Sequence, residues 1–375
     1  MKSLKESIFK ESIFNDVDDI SSDDNALIEQ FINNNYEIDG SYTIKDGVVD
    51  VRGNVWLKND DIKSLTNGTF RFGTVDGYFL CYNRFGRRPA LKGTPNLVSL
   101  EGAPKKVGGD FCCWNCRSLT SLEGAPEKVG GEFDCGDCPK LISLKGISNK
   151  IGENFKCYNC PELKSLEGAP EKVGNDFHCY ECVKLTSLEG APKVVGGNVR
   201  CYSCPNLITL KGAPEVVGGD FWCWNCKNLI SLEGVPKKVG KDFDCNSCPK
   251  LTSLKGAPAR VGGGFYCNNC SGIISIEGAP KKVNGDFDCS ECENLTSLVG
   301  GPKKVDGCFN CYECPKLASL KGAPKEVGGD FNCGWCENLT SLKGAPEVVD
   351  GDVYCEDCEN LKITDQDRKK YRIET

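Results

Sequence analysis

The segment VGGDFCCWNCRSLTSLEGAPEK, residues 107–128, is the unit from which most of this chain is built. The pattern returns every 22 residues, and its C-x-x-C pair occurs twelve times, from Cys113/Cys116 to Cys355/Cys358. These pairs contain 24 of the 27 cysteines. A fixed period of about 20 to 50 residues is typical of a solenoid, in which each unit buries its apolar side by stacking on the next. The sequence therefore predicts one continuous array of stacked coils.

Each unit predicts a short strand and turns, with no helix. Phe111 and Cys113 alternate with period two, which places both side chains on one face of a strand. Gly-Ala-Pro and Gly-Gly mark the turns, and one strand plus two turns fill the 22 residues. We therefore expect a mainly β fold with one long parallel sheet of about 14 coils, spaced about 4.8 Å apart. The apolar positions of the unit are Val107, Phe111, Cys113, Cys116, Leu119 and Leu122.

The regions outside the regular repeats predict a small N-terminal α+β cap and two less regular segments. Asp46-Gly47 between alternating apolar residues indicates a hairpin, and a short helix is expected over 26–33. The predicted parts are an amphipathic helix with an acidic linker (1–24), a helix-plus-hairpin cap (25–52), irregular first coils with an inserted loop at 84–96 (53–106), twelve regular repeats (107–362) and a charged tail (363–375).

The unit resembles the leucine-rich repeat, whose pattern is L-x-x-L-x-L-x-x-N/C-x-L. Val107, Phe111, Cys113, Cys116 and Leu119 follow that order, with cysteine also at the second strand position and one extra residue before the leucine. The resemblance covers about 300 residues and implies a leucine-rich-repeat solenoid. In style the repeats are similar to those of leucine-rich-repeat proteins from large bacteriophages and bacteria. In that family the second cysteine slot is occupied by a side chain that bonds to backbone groups of the turn.

The cysteines allow three interpretations: metal ligands, disulfides or core filler. The spacing of successive C-x-x-C pairs falls in the range of zinc sites, and two pairs would be needed for each ion. In the first coils Leu57 and Asp60 replace the two cysteines, and an apolar residue in that slot favours packing. We therefore predict buried free thiols and no cofactor, with a zinc-binding module as an alternative. Cys112 and Cys308 fall at outward positions and are candidates for reactive thiols.

The predicted binding surface is the open face of the sheet, formed by the residues on either side of the first cysteine of each pair. These positions vary from coil to coil, whereas the core positions repeat. Rings and cations fall together in four consecutive units, and Tyr, Trp and Arg are enriched at binding hot spots. The alternative is that the rings only stabilise neighbouring strands. The predicted partner-binding residues are Lys156, Tyr158, His178, Tyr180, Arg200, Tyr202, Trp222 and Trp224.

Charge and motifs argue against several functions. The net charge of −7 lacks the basic face that a nucleic-acid binder uses, and no apolar run is long enough to span a bilayer. The N-terminal residues do not resemble a secretory signal, so we expect a cytoplasmic, reducing location. We find no Walker loop, GxSxG, HExxH or other catalytic motif and expect no enzyme activity.

We therefore predict a non-enzymatic repeat protein that binds another protein on its strand face, without nucleic acid or membrane. The remaining alternative is a structural spacer or virion component.

Overall fold

The protein is a β-solenoid in its computed structural model, which describes residues 22–82, 93–371 and 373. One sheet of 28 strands winds through about 14 coils with a 22-residue period. This confirms the predicted mainly β fold with one long parallel sheet. The amphipathic helix predicted within residues 1–24 lies largely outside the described residues. So does most of the predicted loop at 84–96.

The N-terminal cap is a helix followed by an antiparallel hairpin. Asp46 and Gly47 both have positive φ (51° and 65°) and form its turn, as predicted from this pair. The helix is longer than the predicted segment 26–33, and near its end the Asn35 side chain donates a hydrogen bond to the Phe31 carbonyl oxygen (2.9 Å). The first elements are α1 (Ser22–Asn35), β1 (Tyr36–Lys45), β2 (Val48–Leu57), β3 (Arg71–Val75) and β4 (Phe79–Leu80).

Each regular coil contains two short strands, so the prediction of one strand per coil is wrong. Gly108 and Gly109 turn the chain between them, and a Cβ on Gly108 would lie 2.1 Å from the Asp76 carbonyl oxygen of the preceding coil. The first strands are β5 (Lys106–Val107), β7 (Lys128–Val129), β9 (Lys150–Ile151), β11 (Lys172–Val173), β13 (Val194–Val195), β15 (Val216–Val217), β17 (Lys238–Val239), β19 (Arg260–Val261), β21 (Lys282–Val283), β23 (Lys304–Val305), β25 (Glu326–Val327) and β27 (Val348–Val349). The second strands are β6 (Phe111–Cys112), β8 (Phe133–Asp134), β10 (Phe155–Lys156), β12 (Phe177–His178), β14 (Val199–Arg200), β16 (Phe221–Trp222), β18 (Phe243–Asp244), β20 (Phe265–Tyr266), β22 (Phe287–Asp288), β24 (Phe309–Asn310), β26 (Phe331–Asn332) and β28 (Val353–Tyr354).

The core consists of columns of identical residues that run along the solenoid. Parallel pairing aligns each strand with its equivalent in the next coil, for example Phe243 with Phe265. The phenylalanine rings of these two residues lie 5.3 Å apart and are stacked. Val199 interrupts this column once, between Phe177 and Phe221. Because the cysteines and leucines of each coil are buried behind the same strands, every unit buries its apolar side only against its neighbours.

The charged C-terminal segment contains α2 (Asp365–Tyr371), which covers part of the last coil. Its start has a reciprocal cap: the Thr364 hydroxyl donates to Asp367 (2.6 Å), and the Asp367 backbone N–H donates to that hydroxyl (3.2 Å). The Tyr371 hydroxyl donates to the Pro346 carbonyl oxygen (2.9 Å). The helix is thereby attached to the preceding repeat.

Candidate functional site

The cysteine pairs form two columns with different roles. The first cysteine of each pair fills the core beside the phenylalanine column. The second donates its thiol hydrogen to the carbonyl oxygen of the first cysteine in the preceding coil, as Cys138 does to Cys113 at 3.3 Å. Eleven such contacts, with distances of 3.2–3.5 Å, extend as far as Cys358 and Cys333. The second column therefore links successive coils through their backbone.

These thiols are buried and favour the protonated form in this arrangement. Burial raises the pKa of Cys135 and Cys157 well above the usual range, with further increases from neighbouring cysteines, whereas zinc takes the thiolate. All 27 cysteines lie in the described residues and have free thiols. No group of three or more His, Cys, Asp or Glu side chains in the described part of the chain is placed to hold a metal ion.

The two candidate surface thiols are both half-buried. Burial raises the pKa of Cys112 well above the usual range, and the nearby charge of Asp134 raises it further. Cys308 accepts a weak hydrogen bond from the Asp330 backbone N–H (3.3 Å to Sγ). At this position the other coils have an aspartate, asparagine, glutamate or glycine. Neither environment is the electropositive, open one of a reactive cysteine.

The strand face carries two columns of side chains, one before and one after the first cysteine of each pair. Parallel register places Lys156 beside His178 and Arg200 beside Trp222. The structure thus brings the predicted binding residues together on four consecutive coils. They are Lys156, Tyr158, His178, Tyr180, Arg200, Tyr202, Trp222 and Trp224.

The second of these columns is a continuous ring stack, which we call the Tyr–Trp stack: Tyr158, Tyr180, Tyr202 and Trp224. Successive ring centroids lie 4.8, 4.6 and 4.3 Å apart, and the interplanar angles are 8° or less. The spacing is close to the separation of neighbouring strands, so the rings stack because the coils do. All four side chains are half-buried, and the stack presents its ring edges rather than separate ring faces.

The cations beside the stack are paired with carboxylates. Lys156 Nζ lies 2.7 Å from Glu132, and Arg200 lies 3.3 Å from Asp176. Partial burial alone would raise the pKa of Asp176, but hydrogen bonds from Asn198 and the charge of Arg200 together lower it. Each of the two cations in the predicted binding patch is therefore neutralised by a carboxylate of the neighbouring coil.

His178 is buried at 8% exposure, so the expectation that it lies on an open surface is wrong. It contacts the Arg200 guanidinium, which donates to its Nε2, and lies 3.6 Å from Asp176. Burial and the Arg200 charge lower the pKa of His178 to about 4. The imidazole is therefore neutral near pH 7 and serves as an internal acceptor.

Carboxylates in the first column have a structural role. Asp244 accepts a hydrogen bond from the Asn246 backbone N–H (2.9 Å), and Asp134 accepts one from Gly136 (2.8 Å). Asn310 makes the same contact one coil beyond Asp288, so an uncharged amide oxygen can take the place of the carboxylate in this contact. Burial raises the pKa of Asp244 to about 6, against the effect of its hydrogen bonds from Asn246.

Two clefts flank the Tyr–Trp stack on the strand face. One, of about 350 Å³, lies at its C-terminal end and is lined by Tyr202, Trp222, Trp224, Asp242, Asp244 and Tyr266. The other, of about 440 Å³, lies at its N-terminal end and is lined by Tyr78, Leu80, Tyr82, Asp110, Phe111, Cys112, Trp114, Glu132, Asp134 and Tyr158. Both clefts are lined by aromatic rings and carboxylates, so acidic side chains lie at each end of the stack.

A third cleft, of about 540 Å³, lies on a different surface and was not predicted. Its lining includes Ile208 and Ile230, which are about half exposed, between lysine and asparagine side chains. Ile142 and Ile274 continue the same column of the repeat. The sequence contained the signal for this column, because its position directly follows the first leucine position of each unit and repeats with the same 22-residue period.

Sequence reasoning also missed the partners of the predicted site. Glu132 and Asp176 each precede their cation by 24 residues, one coil plus two positions, so the repeat register contained the signal. Tyr266 and Asp242 were left outside the patch because the sequence does not show that one coil with short acidic side chains opens a cleft.

Comparison with known proteins finds no matching family model, no similar curated protein and no similar solved structure. Within the described residues, no helix has the length and apolar character needed to cross a membrane.

Proposed function

We propose that this chain is a non-enzymatic repeat protein that binds another protein on its strand face. The Tyr–Trp stack carries this proposal. Four stacked aromatic side chains with nearly parallel rings remain partly exposed, and a cleft adjoins each end of the stack. Tyrosine and tryptophan supply large contact area at low entropic cost, and fixed stacking preorganises them further.

The stack also stabilises the coils, so binding and stability must be measured together. Stacked cross-strand pairs contribute about 0.2–1 kcal/mol each. A purely structural stack would make its removal destabilising without affecting any partner.

The test is the double variant Tyr180→Ala/Trp224→Ala in the full chain. Cross-linking in a lysate of the source cell identifies the partner, and the purified pair is then titrated. We expect the double variant to lose binding by at least about 100-fold, as for two hot-spot residues of about 1.4 kcal/mol or more each. Trp335→Ala is the matched control, because Trp335 is 49% exposed and lies outside the strand-face columns. Equal binding by both variants would contradict the proposal.

We also propose that the coil is a variant of the leucine-rich repeat, as the resemblance implies, from a bacterial or phage protein. The thiol of each second cysteine bonds to the backbone of the neighbouring coil, the role that the resemblance implied for this slot. A reducing compartment such as the cytoplasm suits 27 free thiols.

A further inference from the structure

The cleft at the C-terminal end of the Tyr–Trp stack has the composition of a cation site. We call it the tryptophan cleft. It has a volume of about 350 Å³, and four of its six lining residues are aromatic and two are aspartates. Its size is at the lower limit of ligand pockets and suits a small head group.

The walls of the tryptophan cleft come from coils that are two steps apart. Trp222 pairs in register with Asp244, and Asp244 pairs with Tyr266. The backbone positions that carry Trp222 and Tyr266 are therefore two coil spacings apart, about 9.6 Å, with the short aspartate between them. A cation between rings at that separation lies about 4.8 Å from each, inside the ≈ 6 Å range of cation–π attraction.

The ring of Tyr266 occupies the space that a side chain at position 264 would fill. A Cβ on Gly264 would lie 2.5 Å from the Tyr266 hydroxyl oxygen, so the ring lies against the bare backbone there. On the other side, the Arg200 guanidinium already lies over Trp222, 4.9 Å from its ring centroid. One face of this indole thus binds a cation within the protein, and Trp222 also lines the cleft beyond it.

The carboxylates of the tryptophan cleft have no cationic partner. Asp176 and Glu132, beside the stack, are paired with Arg200 and Lys156. Among the described residues, no lysine or arginine lies within ion-pair distance of Asp242 or Asp244. Asp242 accepts a hydrogen bond from the Gly264 backbone N–H, and Asp244 accepts from the backbone N–H and the side-chain amide of Asn246, so both contacts come from uncharged donors.

We propose that the tryptophan cleft binds an alkylammonium group, either a lysine or methylated lysine side chain of a bound protein or a free quaternary ammonium molecule. Rings attract the cation through their faces, and Asp242 and Asp244 supply the countercharge. The lysine source rests on the proposed function. The small-molecule test below does not require a protein partner, so either proposal can fail without the other.

The test is titration of the full-length protein with tetramethylammonium and choline, followed by calorimetry and by the NMR shift of the ligand methyl protons. Both cations should bind saturably, and their methyl signals should move upfield because they lie over ring faces. The neutral isostere 3,3-dimethylbutanol should bind at least about tenfold more weakly, corresponding to about 1.4 kcal/mol. Equal binding of the isostere, or no saturable binding of either cation, would overturn the proposal.

Variants assign the site. Asp244→Asn removes the charge and retains the hydrogen-bond acceptor, as Asn310 does in its own coil, so we expect about tenfold weaker choline binding. Asp288→Asn is the matched control, because Asp288 has the same backbone contact but does not line the cleft, and it should leave binding within about twofold. Equal losses for both variants would show general charge attraction instead of a site. Trp222→Leu should also weaken binding, whereas Trp335→Leu should not.

The two sources are separated by peptides. A short peptide with one trimethyl-lysine that binds more tightly than choline, and more tightly than its alanine counterpart, identifies a protein side chain as the ligand. Equal affinity for choline and that peptide identifies a free small cation. A peptide that binds equally well with alanine in place of the trimethyl-lysine would contradict a cation site.

Discussion

The inner and outer sides of the same two-residue strands follow different rules. On the inner side, the first strand residue, such as Phe243, is phenylalanine in ten coils and valine in two. The residue two positions later is always cysteine. On the outer side, the position between them includes Lys156, His178, Trp222 and Asp244. The inner side must match the coil above and the coil below, so repetition is a packing requirement. The outer side accepts different side chains from coil to coil, so its variation is available for recognition.

The variant expected to show the largest effect of this contrast is Phe243→Ala, on the inner side. Phe243 is fully buried and stacked between Phe221 and Phe265 at 5.5 and 5.3 Å. We expect a loss of about 3–5 kcal/mol in the free energy of unfolding, measured by urea titration, because the cavity cannot collapse between fixed coils. Tyr354→Ala on the outer side, at 40% exposure, should cost less than about 1 kcal/mol. Similar losses for both would remove the distinction between the two sides.

Much of the fold follows from the sequence because repetition amplifies weak local signals. A single VGGDFCC segment does not define a strand, but twelve copies in phase predict the period, the parallel sheet and the buried residues. The first strand of each coil, such as Lys106–Val107, was not predicted because only one of its two residues faces the core and it ends at the glycine turn. Its pairing comes from coil stacking and has no local pattern of its own.

The candidate site was less predictable than the fold. The sequence placed Tyr158, Tyr180, Tyr202 and Trp224 in one column, and the structure has them in one stack. It did not reveal that Lys156 and Arg200 are neutralised. Their partners, Glu132 and Asp176, lie on the preceding coil, directly before its inner phenylalanine, and whether such side chains meet depends on their reach. Nor did it reveal the burial of His178, which follows from the contacts of Asp176 and Arg200 around it.

A second test compares the two cysteine columns, which look equivalent in the sequence. Cys226 donates to the Cys201 carbonyl oxygen at 3.4 Å, whereas Cys223 makes no hydrogen bond through its thiol within the described residues. A serine at 226 can take over the existing donor contact, whereas a serine at 223 must form a contact that the parent thiol does not make. We expect Cys223→Ser to be less stable than Cys226→Ser by about 1–3 kcal/mol in urea unfolding.

The alanine variants serve as controls for this pair. Cys223→Ala and Cys226→Ala both remove the sulfur, so they report packing alone, and Cys223→Ala should be more stable than Cys223→Ser. If the two serine variants unfold at the same urea concentration, the thiol contact to the backbone has no measurable role. The two columns would then both act as apolar filler.

The smallest expected effect concerns the outer side, where a functional residue should reduce stability. Burial raises the folded-state pKa of Asp244 to about 6, above its ordinary value near 4. The folded state therefore holds this proton more tightly than the unfolded chain does. The stability that the protonated form contributes is complete below about pH 4 and is lost as pH rises through about 6.

Asp244→Asn should therefore be more stable than the parent protein at pH 7, by about 1–2 kcal/mol after allowance for the partial exposure of the carboxylate. The difference should shrink towards zero below about pH 4, and unfolding curves at pH 4 and pH 7 measure it. Asp244→Ala should be less stable than the asparagine variant at both values, because the Asn246 N–H loses its acceptor. A difference in unfolding free energy that does not change with pH would show that burial does not raise the pKa of Asp244. A stabilised variant with impaired choline binding would show instead that this acidic residue is retained for recognition at the expense of stability.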